Sequence, residues 1–139
     1  MHVIIMGCGR VGAQLAARLG ESDHQIYVID RDRASFARLP RGAVELGTIT
    51  FIESDGASPE ALEAADIEEA DVFIAVTGED AVNGMAAQKV RALHRVKRVL
   101  CAVKDEDLRQ MYESLGVDTV NPTRLVTDAL ASALPENPA

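Results

Sequence analysis

A glycine-rich segment near the start of the chain has the spacing G-x-G-x-x-G, and its residues are Gly7-Cys8-Gly9-Arg10-Val11-Gly12. This spacing is typical of loops that hold the pyrophosphate of a dinucleotide between a strand and a helix. We expect Gly7 to permit a tight turn, Gly9 to let a phosphate approach the backbone, and Gly12 to let the helix pack closely on the sheet. The N–H groups at the helix start would then face the anion, and the helix dipole would reinforce that contact.

An acidic side chain, Asp30, ends the second apolar segment, Ile26–Ile29. At this place its carboxylate would accept hydrogen bonds from the ribose hydroxyls of an adenosine. The carboxylate would repel a 2′-phosphate, so NADP is disfavoured, although the neighbouring Arg31 weakens this preference slightly. NAD(H) and ATP or ADP present the same ribose and pyrophosphate to the loop, so both classes of ligand stay open.

Two side chains of the glycine loop each allow two interpretations. Arg10 either contacts a phosphate or pairs with a surface acid. Cys8 is either a reactive thiol, with a pKa lowered by the helix N-terminus, or a small side chain in a crowded loop. The second interpretation of Cys8 is favoured, because no His or second Cys lies near it in the sequence.

Two glycine-containing pairs follow later strands. Asp55-Gly56 follows the third predicted strand, and Thr77-Gly78 follows the fourth. If the fourth strand lies beside the first, Thr77-Gly78 stands at the topological switch point, where open parallel sheets bind their ligands. Each pair either contacts a nucleotide or serves only as a turn.

Short apolar segments alternate with segments of helical periodicity along the whole chain. Strands are predicted over 3–6, 26–29, 48–52, 72–76, 98–103 and 117–120, and helices over 12–19, 31–39, 59–65, 82–93, 108–115 and 122–134. Residues 41–47 are expected to be irregular, and the helix after the fourth strand is expected to be the longest. The alternation predicts one α/β domain over residues 1–134, followed by a tail over 135–139. Its fold is a Rossmann-like, doubly wound sheet of six parallel strands in the order 3-2-1-4-5-6, with helices on both faces.

The composition disfavours several classes of function. Fourteen Lys and Arg against 22 Asp and Glu give a net charge of −8, which repels the phosphate backbone of nucleic acids. No apolar stretch reaches the ~18 residues needed to span a bilayer, and the two cysteines lie far apart, as in a reduced cytosolic protein. The three histidines lack the spacing of metal ligands, and the sequence contains no Tyr-x-x-x-Lys motif. We therefore expect no metal site, no catalytic residues and no enzyme activity.

The sequence resembles the N-terminal nucleotide-binding domain of the Trk/Ktr-type potassium-uptake regulators, also called the RCK N domain, from Val3 to about Ala133. The matching segments are the glycine loop, Val28-Ile29-Asp30-Arg31-Asp32, Asp55-Gly56 with Pro59-Glu60-Ala61-Leu62, the acid-flanked strand from Ile67 to Thr77, Asp80 with Asn83, and Leu115-Gly116-Val117-Asp118. Two residues depart from the pattern: Ser54 replaces a usual Gly, and Ala102 replaces an Arg that in many members can reach phosphates. The second departure disfavours tight binding of a triphosphate unless Lys104 supplies the missing cation.

The resemblance implies a cytoplasmic regulatory subunit that binds NAD(H) or ATP/ADP and gates a membrane potassium transporter or channel. By position, it assigns the phosphates to Gly7, Gly9 and Gly12, the ribose to Asp30, the adenine side to Asp55-Gly56, and the phosphate or nicotinamide end to Thr77-Gly78. It also implies a homodimer or larger ring formed through the last helices, which reaches the membrane only through its partner. The family's C-terminal RCK domain is absent from this sequence, which is either a truncated chain or a one-domain version.

Two questions stay open at this point. The apolar residues near the chain end form either an interface between copies or the inner face of a core helix: Leu125, Val126, Ala129, Leu130 and Leu134. The whole chain is a regulatory nucleotide-binding subunit, the cofactor domain of an NAD-dependent oxidoreductase separated from its catalytic partner, or an interaction module whose nucleotide site has been lost.

Overall fold

The computed structural model describes residues 1–136 of the chain. Its strands are β1 (His2–Met6), β2 (Gln25–Asp30), β3 (Ile49–Glu53), β4 (Val72–Ala75), β5 (Arg98–Ala102) and β6 (Asp118–Val120). Its α-helices are α1 (Arg10–Gly20), α2 (Arg41–Glu45), α3 (Pro59–Ala64), α4 (Asp80–Leu93), α5 (Glu106–Ser114) and α6 (Pro122–Ala133), and two 3₁₀ segments cover Arg33–Arg38 and Ile67–Glu69. Of the tail predicted over residues 135–139, the last three residues lie outside the described part.

All six strands are parallel and lie in the order β3-β2-β1-β4-β5-β6, which confirms the predicted fold class. The central strand β1 lies between β2 and β4, and its last residue, Met6, is in register with Ile29 and Ala75. The strand order reverses direction between β1 and β4. The loops that follow these two strands therefore diverge toward opposite faces and leave a crevice at the carboxyl edge of the sheet.

Apolar side chains cover both faces of the sheet. On one face, α1 and the first 3₁₀ segment contribute Ala13 and Phe36 to the core. On the other face, α3, α4 and α5 contribute Leu62, Val90 and Tyr112. The inner strands β1, β2 and β4 are thus packed on both faces, which is why they appear in the sequence as apolar runs rather than as alternating ones. The edge strands β3 and β6 are more exposed.

The segment predicted as a helix over 31–39 is a 3₁₀ segment over Arg33–Arg38 instead. The side chain of Asp32 accepts a hydrogen bond from the Ala34 N–H at 3.0 Å, and the Ser35 hydroxyl donates to the Asp32 carbonyl at 2.7 Å. Side-chain bonds of this local kind compete with the α-helical hydrogen bonds and tighten the turn.

The segment predicted as irregular over 41–47 contains the short helix α2. Arg41 and Glu45 lie one helical turn apart on it, with 3.8 Å between Nε and Oε1. The helix ends before Gly47, whose φ of +77° is a left-handed conformation that favours glycine. The helix tolerates Gly42 in its interior and ends just before the second glycine of the segment, Gly47.

The longest helix among the described residues is α4 with 14 residues, as predicted. Within residues 1–136, no helix combines the length and the apolar character that crossing a bilayer requires.

The last helix, α6, decides between the two interpretations of its apolar residues. None of the described residues of α6 is buried, and Leu125 and Leu130 are 60% and 64% exposed. The interpretation as a core helix of its own domain is therefore wrong. Residues 1–136 therefore leave the large apolar side chains of this helix uncovered.

Candidate functional site

A cleft opens at the carboxyl ends of β1 to β4 and includes the crevice beside β1. It encloses about 380 Å³. Twelve residues are predicted to bind a nucleotide, namely the six of the glycine loop, Asp30 with Arg31, Asp55-Gly56 and Thr77-Gly78. Seven of them line the cleft: Gly7, Asp30, Arg31, Asp55, Gly56, Thr77 and Gly78. Five further residues line it that the sequence did not single out as binding residues: Met6, Ile29, Ser54, Glu79 and Val82. The topology thus brings together residues from four strand ends that lie up to 76 positions apart.

The glycines of the loop have different spatial constraints. Gly7 has a φ of +111°, and a Cβ on it would lie 2.9 Å from the Thr77 nitrogen. A Cβ on Gly12 would lie 1.8 Å from the carbonyl oxygen of Gly7, so this glycine lets α1 begin directly against the end of β1. Around Gly9, no heavy atom among residues 1–136 lies within 4 Å of a built Cβ. The backbone at Gly9 is therefore open to an approaching group, which is what its predicted role requires.

The carboxylate of Asp30 is held at the cleft by two backbone N–H groups. The Cys8 N–H donates to Oδ2 at 2.7 Å, and the Asp32 N–H donates to Oδ1 at 2.8 Å. A carboxylate has about four lone-pair directions. Both oxygens therefore keep acceptor capacity for hydroxyl groups after the two backbone bonds are made.

The remaining loop residues lie beside the cleft rather than in its lining. The Cys8 side chain is buried, and its thiol donates to the Ser35 carbonyl at 3.4 Å. Burial raises the pKa of the Cys8 thiol, which supports the interpretation as a small side chain in a crowded loop. Arg10 and Val11 are exposed on the first turn of α1, and within residues 1–136 Arg10 forms no ion pair.

The end of β4 is fixed by a buried amide, Asn83, which lies on the first turn of α4 and is 1% exposed. Its Oδ1 accepts the Thr77 N–H at 2.8 Å and also the Thr77 hydroxyl. Its Nδ2 donates to the carbonyls of Thr77 and Ala102, each at 2.9 Å. The sequence marked Asn83 only through a resemblance. Its role as the group that fixes the cleft wall depends on which strands lie beside β4.

A family model described as the TrkA-N domain matches residues 3–122 of the chain. The chain belongs to the TrkA-N domain family. This confirms the resemblance drawn from the sequence motifs.

Curated relatives of this TrkA-N domain have names that refer to potassium uptake. It is 39% identical over 135 residues to the Trk system potassium uptake protein TrkA of Streptomyces coelicolor, covering 96% of this chain and 58% of that protein. It is 34% identical over 125 residues to a TrkA homolog of Methanothermobacter thermautotrophicus, covering 89% of this chain and 56% of the relative. The chain therefore spans somewhat more than half the length of these relatives. Their names describe transport-system proteins and not enzymes.

Solved structures share the fold of this TrkA-N domain. The TrkA-N domain of the inner membrane protein ybaL from Escherichia coli superposes with a TM-score of 0.83 at 20% identity, covering 96% of both chains. The GsuK channel bound to NAD superposes at 0.72 and 18% identity, covering 90% of this chain and 22% of the channel. GsuK bound to ADP also gives 0.72 at 18% identity, covering 89% of this chain and 32% of that one.

The charges around the TrkA-N cleft determine how it could hold an anion. Its lining contains three carboxylates, Asp30, Asp55 and Glu79, and one guanidinium, Arg31. Side-chain charge in the lining therefore does not attract a phosphate. A phosphate here must be held mainly by backbone N–H groups of the glycine loop and by the dipole of α1, which has no acidic residue in its first turn.

Proposed function

We propose that this TrkA-N domain is the nucleotide-sensing part of a cytoplasmic regulatory subunit that binds NAD(H) or ATP/ADP and gates a membrane potassium transporter or channel. The observation that carries the proposal is the joint geometry of the cleft. A backbone-open Gly9 at the start of α1 lies next to a carboxylate, Asp30, that is held at the end of the adjacent strand. This pairs an anion site with a hydroxyl acceptor, as a ribose attached to a diphosphate requires.

Each part of the cleft has a role in the proposal. The backbone of Gly7–Gly12 holds the phosphates, and the Arg10 side chain, exposed at the same helix start, adds a cation beside them. Asp30 accepts the ribose hydroxyls of the adenosine, and Asp55-Gly56 lies on the adenine side. Thr77-Gly78 receives the second phosphate or the nicotinamide half. Because Ala102 carries no cation at the end of β5 and the Lys104 ammonium is bound to the Gly78 carbonyl, diphosphates and dinucleotides are favoured over triphosphates. NADP is disfavoured at Asp30.

The partner in the proposal is a second copy of the chain, seated on α6. An uncovered helix with Leu125, Val126, Leu130 and Leu134 on its surface supports a symmetric helix pair, because burial of such side chains is favourable. The names of the curated relatives and the structural similarity to a nucleotide-bound channel support coupling of such a dimer, or of a larger ring, to an integral-membrane potassium transport protein. A ligand changes the conformation of the assembly only if the assembly has two conformations and the ligand binds them with different affinities.

Titration calorimetry with NADH, NAD, ATP, ADP and AMP on one preparation tests the proposal. For each nucleotide that binds, Asp30→Ala should lower the affinity by about tenfold to a hundredfold. The reason is that a charge-assisted hydrogen bond is worth roughly 1.5–3 kcal/mol. Glu53→Gln is the matched control: Glu53 is the register partner of Asp30 on β3, but it does not line the cleft. Glu53→Gln should leave affinity unchanged or slightly improved.

Three outcomes would contradict the proposal. If none of the five nucleotides binds, the interpretation as an interaction module without a nucleotide site would replace the proposal. Equal affinity of wild type and Asp30→Ala would remove Asp30 from the site. Oxidation of NADH by the purified chain with a panel of carbonyl compounds would favour the cofactor domain of an oxidoreductase.

A further inference from the structure

A continuous set of contacts leads away from the cleft wall through the start of α4. Gly7 of the glycine loop lies against Thr77, since any Cβ on Gly7 would meet the Thr77 nitrogen at 2.9 Å. Asn83 holds the N–H, the carbonyl and the hydroxyl of Thr77 and also binds the carbonyl at the end of β5. These contacts join the glycine loop and Thr77 directly to α4 and to the end of β5.

The next step is made by Asp80, the first residue of α4. Its Oδ1 accepts the Lys104 N–H at 3.0 Å, and its Oδ2 accepts the Asp105 N–H at 2.9 Å. Both carboxylate oxygens are thus used to hold the loop between β5 and α5. The Lys104 ammonium also donates to the Gly78 carbonyl in the cleft wall at 3.4 Å, which joins the same two segments a second time.

The last step reaches α6 through its N-cap residue. The Asn121 Nδ2 donates to the Lys104 carbonyl at 3.3 Å, and its Oδ1 accepts the Arg124 N–H at 3.1 Å. Since none of the described residues of α6 is buried, little side-chain packing opposes a change in its direction. Its orientation within the chain is set mainly by this N-terminal connection.

From this arrangement we infer that Asp80 is a positioning residue that couples nucleotide binding in the cleft to the orientation of α6. The inference rests on the proposed function and adds the physical connection between its two parts. Ligand contacts at Gly7 and Thr77 bias the position of α4, Asp80 transfers that bias to Lys104, and Asn121 transfers it to the helix that forms the interface between copies. The coupling free energy comes from ligand contacts that differ between the two orientations of α6, and the hydrogen bonds connect the cleft to that helix.

Hydrogen–deuterium exchange of the 139-residue chain, with and without saturating ADP or NAD, tests the inference. In wild type, nucleotide should change the exchange rates of the α6 amides by roughly fivefold or more, which is the size of a typical coupling. Asp80→Asn should abolish this change, because the amide keeps one acceptor but faces the other N–H with a donor. Asn121→Asp should also abolish it, because the cap acceptor stays while the donor to Lys104 is lost. The affinity for ADP and NAD, measured by calorimetry, should stay within about threefold of wild type in both variants.

Glu60→Gln provides the matched control, since Glu60 is likewise an acid in the first turn of a helix, α3, and makes no hydrogen bond to another element among the described residues. It should respond to nucleotide as wild type does. A wild-type response of α6 in both Asp80→Asn and Asn121→Asp would overturn the inference, as would nucleotide binding by wild type with no change in α6. If wild type binds neither ADP nor NAD, the proposed function itself fails and the coupling fails with it.

Discussion

Gly9 and Gly12 belong to one loop and fill the same motif, yet their surroundings give them opposite tolerance to a side chain. A methyl group on Gly12 would overlap the Gly7 carbonyl, whereas one on Gly9 would extend into open space. Gly12→Ala should therefore destabilise the fold by about 3 kcal/mol, the cost of forced overpacking against backbone. Gly9→Ala should cost no more than about 1 kcal/mol, since it changes only an N-cap.

Denaturant unfolding separates these two expectations, and calorimetry with ADP adds a second measurement. If Gly9 is the place where phosphate approaches the backbone, Gly9→Ala should lose most of the ADP affinity while its unfolding midpoint stays close to wild type. Normal affinity in that stable variant would show that the phosphate lies elsewhere.

The two cysteines are a second feature at the scale of single residues. Both side chains are buried, and burial raises the pKa of the Cys101 thiol to about 11 and also raises that of Cys8. Because the thiolate is the reacting form, neither thiol should react with Ellman's reagent at pH 8 in the native protein, while both should react in denaturant. Stoichiometric release of the coloured thiol from the folded protein would contradict the buried placement.

The sequence predicted that the glycine loop and Asp30 lie at the ends of neighbouring strands, because their positions follow from spacing alone. Their roles toward a nucleotide stay predictions. The sequence did not predict the role of Asn83 in the cleft wall. This role depends on β5 lying beside β4, because Asn83 also binds the Ala102 carbonyl, and a contact across strands leaves no spacing signal in the chain. The motif includes Cys8 only for its position between two glycines, and its side chain is buried in the core.

At the scale of elements, the strands were predicted to within one residue at each end. The inner strands are short apolar runs covered on both faces, so their limits lie close to the limits of the apolar segments. The segment from 31 to 47 was predicted poorly for a different reason. Its conformation is decided by hydrogen bonds of Asp32 and Ser35 to nearby backbone, and such bonds leave no periodic pattern.

The contact between α4 and α5 is unusually close at Gly84. A Cβ on Gly84 would lie 2.1 Å from two ring carbons of the buried Tyr112. Gly84→Ala should therefore separate the two helices and destabilise the domain by about 1–3 kcal/mol, despite the better helix propensity of alanine. Thermal or denaturant unfolding measures the effect.

Gly42→Ala on α2 is the control for this substitution. Among residues 1–136, no atom outside its own helix lies within 4 Å of a Cβ on Gly42. Gly42→Ala should therefore show only the better helix propensity of alanine and stabilise the fold by up to about 1 kcal/mol. Equal effects of the two substitutions would mean that Gly84 is not a packing contact.

At the scale of the whole molecule, α6 is the feature that the sequence left undecided. An apolar stripe has the same spacing whether the chain's own sheet or a second molecule covers it. Only the three-dimensional arrangement shows that the described part of the chain does not cover this one. The net charge of −8 works against association at long range, so the apolar side chains of α6 must supply the favourable free energy of a dimer.

Leu125→Asp combined with Leu130→Asp tests the dimer. Each substitution should weaken self-association by more than about tenfold, because burial of a leucine contributes roughly 1.5–3 kcal/mol. Sedimentation equilibrium should then report a monomer with an unchanged unfolding midpoint. Leu46→Asp, at an exposed leucine after α2, is the control and should leave the mass unchanged. Identical masses for wild type and the double variant would contradict an α6 interface.

The two backbone bonds to Asp30 also have a consequence for the thermodynamics of recognition. Folding itself immobilises this carboxylate, so a sugar bound as proposed would meet a preorganised acceptor, and its association would lose little rotamer entropy there. One of those bonds comes from the glycine loop. The group proposed to recognise the sugar and the segment proposed to receive the diphosphate are therefore held in a fixed mutual geometry by the folded chain itself.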